Sequence, residues 1–384
     1  MIYLDNAATS FKKPESVYLG VDQAMRHYSG NPGRSGHKLS LAAREAIEET
    51  RRLILKLISA KKTEEIIFTK NATESLNLAI KGVLRPGDHV ITSTLEHNSV
   101  TRPLEELKSH GIQLTKIPCS VSCGADIEAI KSAIRPNTKL MVFTHISNVT
   151  GTINPIKQIG ELCRERNILF LVDAAQSIGV YSINVQEMCI DLLAFPGHKG
   201  LLGPQGTGGL YMRSGIDVLP LIEGGTGIHS ELLLQPKESP YCYESGTLNT
   251  AGIYGLGKGI QYILDKGVER IHSEETFLAN RLLEGLSQIN EVTLYGPGPY
   301  AQRSSVVSIT IDGIDTMDCA FMLDNVFDIA VRAGLHCAPD THTLIGTVNT
   351  GGTLRISPNH FNTTQDIDAC IQAIKAIVKE GRWQ

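Results

Sequence analysis

Hydrophobic positions in the first half of the chain follow two different periods. Apolar side chains at Leu39, Ala43, Ile47, Ile54 and Ile58 keep the spacing of about 3.6 residues of an amphipathic helix, which we expect to pack between domains. Through residues 60–215, short apolar runs such as "EIIFT", "HVITST", "KLMVFTHI" and "ILFLVD" alternate with helical segments. Strands that are apolar along their whole length are typical of a parallel sheet covered by helices on both faces. This part of the chain therefore predicts an α/β domain.

The pattern changes after Gly246. Long helical segments are predicted near 250–265 and 267–288, followed by the short strand segments "VTLYG" and "VVSITI". Further helices are predicted near 315–325 and 364–379. This mixture predicts a smaller α+β domain. We expect a large domain over residues 15–250 and a small domain that joins residues 1–14 to residues 251–384.

Composition excludes several classes of protein. The 384 residues are 42% hydrophobic and 20% charged, which is typical of a globular chain and not of a disordered one. The net charge of −4 and the absence of a cluster of basic residues predict no nucleic-acid partner. The chain starts without a basic segment followed by an apolar one, and it has no uninterrupted run of about 18 apolar residues. We therefore expect a cytoplasmic protein without a membrane partner.

The eight cysteines are too sparse for a disulfide scaffold. Cys119 and Cys123 have no matching second pair, so no metal site is predicted. Cys163 and Cys370 fall on apolar helical stripes, where a cysteine is normally a small hydrophobic residue. Cys337 differs, because the irregular segment "RAGLHCAPDTH" surrounds it with an arginine and histidines.

Chemistry-bearing residues follow two predicted strands. Asp173 ends "ILFLVD" and precedes Gln176, while His198 and Lys199 follow "DLLAF". Ligands collect beyond the carboxyl ends of parallel strands, so these side chains should face one crevice. A poorly solvated lysine there can lose its proton and form a Schiff base, and a carboxylate can keep the ring nitrogen of pyridoxal phosphate protonated. Taken singly, Asp173 could equally cap a helix and Lys199 could be a surface lysine; together they favour the cofactor.

The segment "TKNATES" offers a phosphate site. It supplies backbone N–H groups and hydroxyls between a predicted strand and a predicted helix, with Thr73 as the favoured hydroxyl. A simple helix N-cap is the alternative interpretation of this segment. The "GPQGTGG" loop lacks the GK[ST] ending of a nucleotide-binding P-loop, so a nucleotide receives little support.

Nine short stretches occur in the order found in one protein family. They are "YLDNAAT", "NATES", "LEHNS", "SNVTG", "VDAAQS", "GHKGLLGPQG", "ESGTLNT", "RAGLHCAP" and "LRIS". Through them nearly the whole chain resembles the pyridoxal-phosphate-dependent cysteine desulfurases of the class V aminotransferase family, fold type I. The resemblance implies a large domain with a mainly parallel, seven-stranded type of sheet, a smaller α+β C-terminal domain, and a homodimer.

The same resemblance assigns cofactor contacts. It implies that Lys199 binds pyridoxal 5'-phosphate as a Schiff base, that Asp173 pairs with the pyridine nitrogen, and that Gln176 binds the phenolic oxygen. His97 is expected to stack on the ring as a catalytic residue. The phosphate is expected to bind Thr73, His198 and Thr247, the last donated by the partner subunit.

The resemblance also assigns the substrate, L-cysteine. Asn148 and Arg355 are expected to bind its carboxylate, with His37 and Arg332 nearby. Asn148 is also expected to contact the cofactor. Cys337 is expected to attack the substrate's sulfur, so that L-alanine leaves and Cys337 carries a persulfide for an acceptor protein or a small thiol. Arg332 and His336 are the neighbours expected to favour a reactive thiolate.

Two features depart from the family pattern. Pro196 stands where close relatives carry a serine, so one phosphate donor is missing, and His342 has no assigned counterpart. Three alternatives remain open. They are a selenocysteine lyase, another pyridoxal-phosphate aminotransferase or lyase of this class, and a non-enzymatic phosphate-binding or sulfur-carrier module.

Overall fold

The computed structural model describes residues 1–33 and 36–381 of the 384-residue chain. Helices predicted from the apolar periodicity appear within a few residues of their expected bounds. In chain order the helices are α1 (Glu15–His27), α2 (Lys38–Ile58), α3 (Ala72–Val83), α4 (Asn98–Lys108), α5 (Ile127–Ala133), α6 (Ile156–Glu165), α7 (Thr250–Lys266), α8 (Val268–Ser287), α9 (Thr316–Phe327), α10 (Pro339–Leu344) and α11 (Thr364–Gly381).

The strands belong to one large sheet, one smaller sheet and two short pairs. In chain order they are β1 (Ile2–Tyr3), β2 (Ile66–Thr69), β3 (His89–Ser93), β4 (Gln113–Ile117), β5 (Cys119–Ser120), β6 (Gly124–Ala125), β7 (Thr138–Thr144), β8 (Leu169–Asp173), β9 (Leu192–Pro196), β10 (Gly208–Met212), β11 (Val292–Tyr295), β12 (Val307–Ile311), β13 (Ile329–Ala330), β14 (Arg332–Gly334) and β15 (Thr353–Ile356).

The large sheet has seven strands in the order β2-β10-β9-β8-β7-β3-β4. Strands β9, β8, β7, β3 and β4 pair in parallel, and β10 runs antiparallel to both of its neighbours. The expected mainly parallel sheet is thus confirmed. Register places Asp173 opposite Thr144 on one side and Ala194 on the other. The carboxyl ends of three central strands therefore meet at Asp173.

Adjacent residues of the central strands enter two different cores, which is why these strands are apolar throughout. Phe170 and Val172 of β8 pack with α2, α6 and α7, whereas Leu171 packs with α3 and α4 on the opposite face. Helix α7 packs on α1 and α2 and contributes Leu256 and Ile260 to the first of these cores. Helices thus cover both faces of the sheet.

A second core lies under the antiparallel sheet β11-β12-β15-β14 and holds α8, α9 and α11. The N-terminal segment joins this part of the chain: β1 pairs in parallel with β13, and Leu4 is fully buried in the second core. Asn6 N then donates to Ser357 O at 3.2 Å. This path carries residues 5–9 along the rim of the large sheet.

Within residues 1–33 and 36–381, no helix combines the length and the apolar character needed to span a membrane.

Candidate active site

A cavity of about 220 Å³ opens beyond the carboxyl ends of the central strands. The N-terminal segment, the start of α3, the start of α4 and the β14 and β15 strands also contribute to its wall. Nine of the residues predicted to act on or bind the cofactor or the substrate line it: Thr73, His97, Asn148, Asp173, Gln176, His198, Lys199, Arg332 and Arg355. Pro196 and His336 also line it. Residues as far apart in the chain as Ala7 and Arg355 therefore meet in one place.

Lys199 and Asp173 face the same cavity, and their pKa values are shifted in opposite directions from those of ordinary side chains. Burial lowers the pKa of Lys199 to about 8, with the nearby Arg355 charge acting in the same direction and Asp173 opposing it. Burial raises the pKa of Asp173, although Ala175 N donates to its Oδ1 at 2.9 Å. A lysine that loses its proton near neutrality is a competent nucleophile toward a carbonyl. A buried carboxylate is suited to bind a cationic N–H group in the cavity.

Hydroxyl groups line one end of the cavity at the start of α3 and α4. Thr73, next to the first residue of α3, has its Oγ1 2.8 Å from Ser99 Oγ, and Ser99 Oγ lies 2.9 Å from His97 Nδ1. Two helix N-termini and two hydroxyls make a suitable anion site. Ser99 also lines the cavity and was missed as a site residue, although it lies in the quoted stretch "LEHNS". Pro196 lines the cavity without offering a hydroxyl.

His97 is held as a neutral ring. Its Nδ1 accepts the Ser99 N–H at 3.0 Å, which caps α4. Burial, together with the charges of Lys199 and Arg332, lowers the pKa of His97 to about 4. A neutral imidazole facing the cavity can stack on an aromatic ligand without adding positive charge there.

His198 and Gln176 are fixed by the N-terminal segment. His198 Nδ1 lies 3.0 Å from Thr9 Oγ1, and Gln176 Nε2 donates to Ala7 O at 3.0 Å. Burial lowers the pKa of His198 to about 4, so this ring is neutral at neutral pH. The stretch "YLDNAAT" thus forms part of the cavity wall.

Arg355 is almost fully buried, and its guanidinium contacts Asp5 and Asn148. Its Nη2 lies 2.9 Å from Asp5 Oδ1, and its Nη1 donates to Asn148 O at 3.1 Å. The Nε atom has no hydrogen-bond partner in the protein. Asp5, which lies 350 positions away in sequence, was not predicted as a site residue. The guanidinium is thereby oriented while N–H groups remain for a ligand.

Cys337 does not line the Lys199 cavity. It lies on an open groove of about 670 Å³ together with Asn98, Arg102 and Pro339. Arg332 connects the two sites: it lines the cavity, and its Nη2 lies 3.7 Å from Cys337 Sγ. The expected proximity of Arg332 to the sulfur is therefore present.

His336 is not a cationic neighbour of that sulfur. Its Nε2 lies 3.0 Å from Thr353 O, within β15, and the ring is almost completely buried. Burial and the charge of Arg355 lower the pKa of His336 to about 2, which keeps the ring neutral. Adjacency in sequence does not bring this imidazole to the thiol.

Two residues assigned by resemblance lie elsewhere. His37 caps α2 on the surface, where its Nδ1 accepts from Ser40 N at 3.2 Å. Thr247 is exposed and lines a separate cavity of about 60 Å³ with Arg51 and Glu244. Neither residue lines the Lys199 cavity of its own chain.

The residues of the cavity fit pyridoxal phosphate. The hydroxyl pair at two helix N-termini can bind a phosphate. The neutral ring of His97 can stack on an aromatic ring, and Asp173 can bind a protonated ring nitrogen. Lys199 supplies the amine that such an aldehyde requires. Among residues 1–33 and 36–381, no group of three or more His, Cys, Asp or Glu side chains is arranged to hold a metal ion.

Comparison with known proteins gives one consistent result. The family model for aminotransferase class V matches residues 2–370. A protein of Methanothermobacter thermautotrophicus described as a probable cysteine desulfurase is 34% identical, over 99% of this chain and 95% of its own length. A probable cysteine desulfurase of Halalkalibacterium halodurans is 36% identical, over 98% of this chain and 92% of its own length.

Solved structures agree with the sequence comparison. The apo structure of a cysteine desulfurase from Thermococcus onnurineus superposes with a TM-score of 0.93 at 35% identity. That match covers 99% of this chain and 95% of the solved one.

Proposed function

The chain belongs to the aminotransferase class V family, and we propose that it is a pyridoxal-phosphate-dependent cysteine desulfurase. It converts L-cysteine to L-alanine and takes up the sulfur on Cys337. The observation that carries this proposal is the position of Arg332, which lines the cavity of Lys199 and Asp173 and also contacts Cys337 Sγ at 3.7 Å. The guanidinium of Arg332 thus lies between the cavity where an amino acid can react and the thiol of Cys337.

The cofactor, when bound, accepts the electron pair that develops at the substrate's Cα. Thr73, Ser99 and His198 would hold its phosphate, and His97 would stack on its ring. Asp173 would bind the protonated ring nitrogen and Gln176 the phenolic oxygen. The raised pKa of Asp173 supports this pairing, because a buried carboxylate gains most from a cationic partner.

Arg355 and Asn148 bind the substrate's carboxylate. One N–H of Arg355 is used on Asp5 and one on Asn148 O, and the others are free to face the cavity. A guanidinium held at two points offers a fixed fork to a carboxylate, so the substrate is oriented as well as bound. Asn148 Nδ2 donates to His336 O at 2.8 Å, which ties substrate binding to the segment that carries Cys337.

Lys199 moves the proton at Cα. With a pKa of about 8, a substantial share of this amine is neutral at physiological pH and can accept a proton. The same nitrogen later returns a proton to the carbon framework. Burial, together with the positive charge of Arg355, keeps the pKa of Lys199 below the ordinary lysine value.

Cys337 completes the reaction. Its Sγ forms a bond to the substrate's sulfur while the carbon–sulfur bond of the substrate breaks. The electron pair of that bond stays with the carbon framework, which takes up a proton and leaves as alanine. Because Cys337 lies on the open groove beside Arg332, its side chain must turn toward the cavity to receive sulfur, and it can then present the sulfur to a thiol acceptor.

A second copy of the chain contributes Thr247. This residue is exposed and does not line the cavity of its own chain, which supports a role across a homodimer interface. We propose that its hydroxyl reaches the cofactor's phosphate in the partner's cavity, and that His37 acts near the same site.

Selenocysteine lyase is the second candidate function. The separation of Cys337 from the Lys199 cavity favours it, because selenium can leave carbon without attack by a cysteine thiol. The test compares alanine release from L-cysteine and from L-selenocysteine, in the wild-type protein and in Cys337→Ala. Loss of alanine release from cysteine in the variant supports the desulfurase. Turnover of selenocysteine alone, unchanged in the variant, supports the lyase and overturns the first proposal.

A further inference from the structure

Two buried histidine rings lie close together in the segment that carries Cys337, one directly before it and the other five residues after it. The rings of His336 and His342 have centroids 5.6 Å apart and an angle of 44° between their planes. His336 is 2% exposed and His342 is fully buried. Each ring has one nitrogen without a hydrogen-bond partner in the protein, Nδ1 of His336 and Nε2 of His342. Buried polar atoms of this kind are rare and need an explanation.

The partners of the other two ring nitrogens decide the protonation of the pair. His336 Nε2 faces the carbonyl oxygen of Thr353 at 3.0 Å, which only accepts, so this nitrogen carries the proton and Nδ1 is an acceptor. His342 Nδ1 lies 2.7 Å from Thr347 Oγ1. When that hydroxyl donates to Nδ1, His342 carries its proton on Nε2. Of the two nitrogens without a partner, Nε2 of His342 is then a donor and Nδ1 of His336 is an acceptor.

Both rings are neutral, as this assignment requires. Burial lowers the pKa of His336 to about 2 and that of His342 to about 4. The charged groups that act on His336 are Arg332 of β14 and Arg355 of β15, and both disfavour a second positive charge.

The histidine pair lies under an unusual backbone corner. His336 and Cys337 have φ angles of +47° and +57°, in the left-handed region that residues other than glycine rarely adopt. Such conformations persist where the surroundings fix them. Two contacts hold this corner. Asn98 N donates to Cys337 O at 2.7 Å, and His336 Nε2 donates to Thr353 O at 3.0 Å. His342 comes from α10, the helix that follows the corner directly.

We propose that His342 is a positioning residue for Cys337, donating its Nε2–H to a buried water molecule that in turn donates to His336 Nδ1. The chain of contacts from Thr347 through His342 and His336 to Thr353 holds the left-handed corner, and with it the Cys337 sulfur beside Arg332. The inference rests on the proposed function only in what Cys337 does; the hydrogen-bond pair itself does not depend on it.

Four variants of the cofactor-loaded protein test the inference. His342→Phe removes the donor, and His342→Gln keeps an N–H donor at the end of a side chain of similar reach. Thr347→Val removes the hydroxyl that orients His342 with little change of shape. Thr343→Val is the matched control, because Thr343 is exposed on the same helix and its hydroxyl bonds only to Pro339 O within that helix.

With L-cysteine, we expect His342→Phe to lower kcat roughly ten- to a hundredfold at unchanged KM, as small displacements of a reacting group do. The visible absorption of the cofactor should not change. The kcat of His342→Gln should be close to that of the wild type, and the kcat of Thr347→Val should lie between those of His342→Phe and the wild type. Thr343→Val should have the kcat of the wild type. Equal losses in the phenylalanine and glutamine variants, or a rise in KM alone, would overturn the positioning role.

Two measurements on the same proteins do not require turnover. Nitrogen-15 NMR of labelled histidines should show the proton of both rings on Nε2 in the wild type, and an Nδ1 proton on His342 overturns the pair. Hydrogen exchange of residues 335–338 should accelerate in His342→Phe and Thr347→Val but not in Thr343→Val. If the wild type makes no alanine from cysteine while both results hold, the proposed function fails and the pair stands.

Discussion

The Nη2 atom of Arg332 lies 3.7 Å from the Sγ atom of Cys337, while the same side chain lines the cavity that contains Lys199. Cys337 itself lies outside that cavity, on an open groove. Arg332 is therefore placed to attract negative charge on the sulfur and to lie near an amino acid bound at Lys199.

Replacing Arg332 with neutral methionine should slow alkylation of Cys337 by iodoacetamide roughly three- to tenfold near pH 7. The Arg332 guanidinium contacts the Cys337 sulfur and attracts negative charge there, and methionine keeps a similar side-chain volume without the charge. Mass spectrometry can follow Cys337 against Cys123, an exposed cysteine away from the groove. Arg102→Met is the control, because Arg102 lines the same groove. Equal effects of the two substitutions would contradict the role of the Arg332 contact.

Covalent attachment of pyridoxal phosphate to the cofactor-free protein should follow the protonation of Lys199. Because the pKa of Lys199 is about 8, the rate should rise about tenfold per pH unit below that value and level off above it. Stopped-flow absorbance between pH 6.5 and pH 9.5 measures the profile. A rate that still climbs at the upper limit, as an ordinary lysine pKa of 10.5 requires, would contradict the assigned environment.

Ser99→Ala should weaken binding of pyridoxal phosphate about three- to tenfold, because it removes one hydroxyl from the proposed phosphate site and breaks the contact with Thr73. Pro196→Ser should act in the opposite direction by adding a hydroxyl to the cavity wall. Fluorescence titration of the cofactor-free proteins measures both. Ser109→Ala, at the exposed far end of α4, is the control for Ser99. An unchanged affinity in Ser99→Ala would place the phosphate elsewhere.

Asp173→Asn should make the cofactor-free protein more stable at pH 7 and inactive with the cofactor. Burial raises the pKa of Asp173, so the stability linked to its protonated form is lost as pH rises through the folded-state pKa. Asparagine removes this loss and keeps an acceptor for Ala175 N. We expect Tm to rise by about one to a few degrees at pH 7 and to differ little near pH 3. A lower Tm at pH 7 would show that the carboxylate stabilises the empty cavity.

The sheet and the two strand-end residues were predictable because their signals are local. Apolar runs of strand length, separated by helical segments, led to the central strands, and the strand-end rule brought Asp173 and Lys199 together. The antiparallel direction of β10 was not predictable in this way. The apolar residues of β10 do not show which way the strand runs, and its direction appears only in the antiparallel pairing with β9 and β2.

Contacts between distant segments were not predictable from local patterns. Asp5 meets Arg355 only because β1 pairs with β13, a pairing between the two ends of the chain. The sequence placed Cys337 next to His336, yet the backbone corner turns the imidazole toward Thr353 and leaves Arg332 at the sulfur. The roles of Thr247 and His37 stay predictions, since both depend on a second copy of the chain.

The most direct test of the central claim is to locate the sulfur after a single turnover. Purified, cofactor-loaded protein is mixed with less than one equivalent of L-cysteine without reductant, then digested for mass spectrometry while alanine is counted in the same sample. We expect a persulfide on Cys337 equal in amount to the alanine released, and neither product in Lys199→Ala or Cys337→Ala, with Cys123→Ala behaving as the wild type. Alanine formed in Cys337→Ala at the wild-type yield, or a persulfide on a different cysteine, would contradict the account.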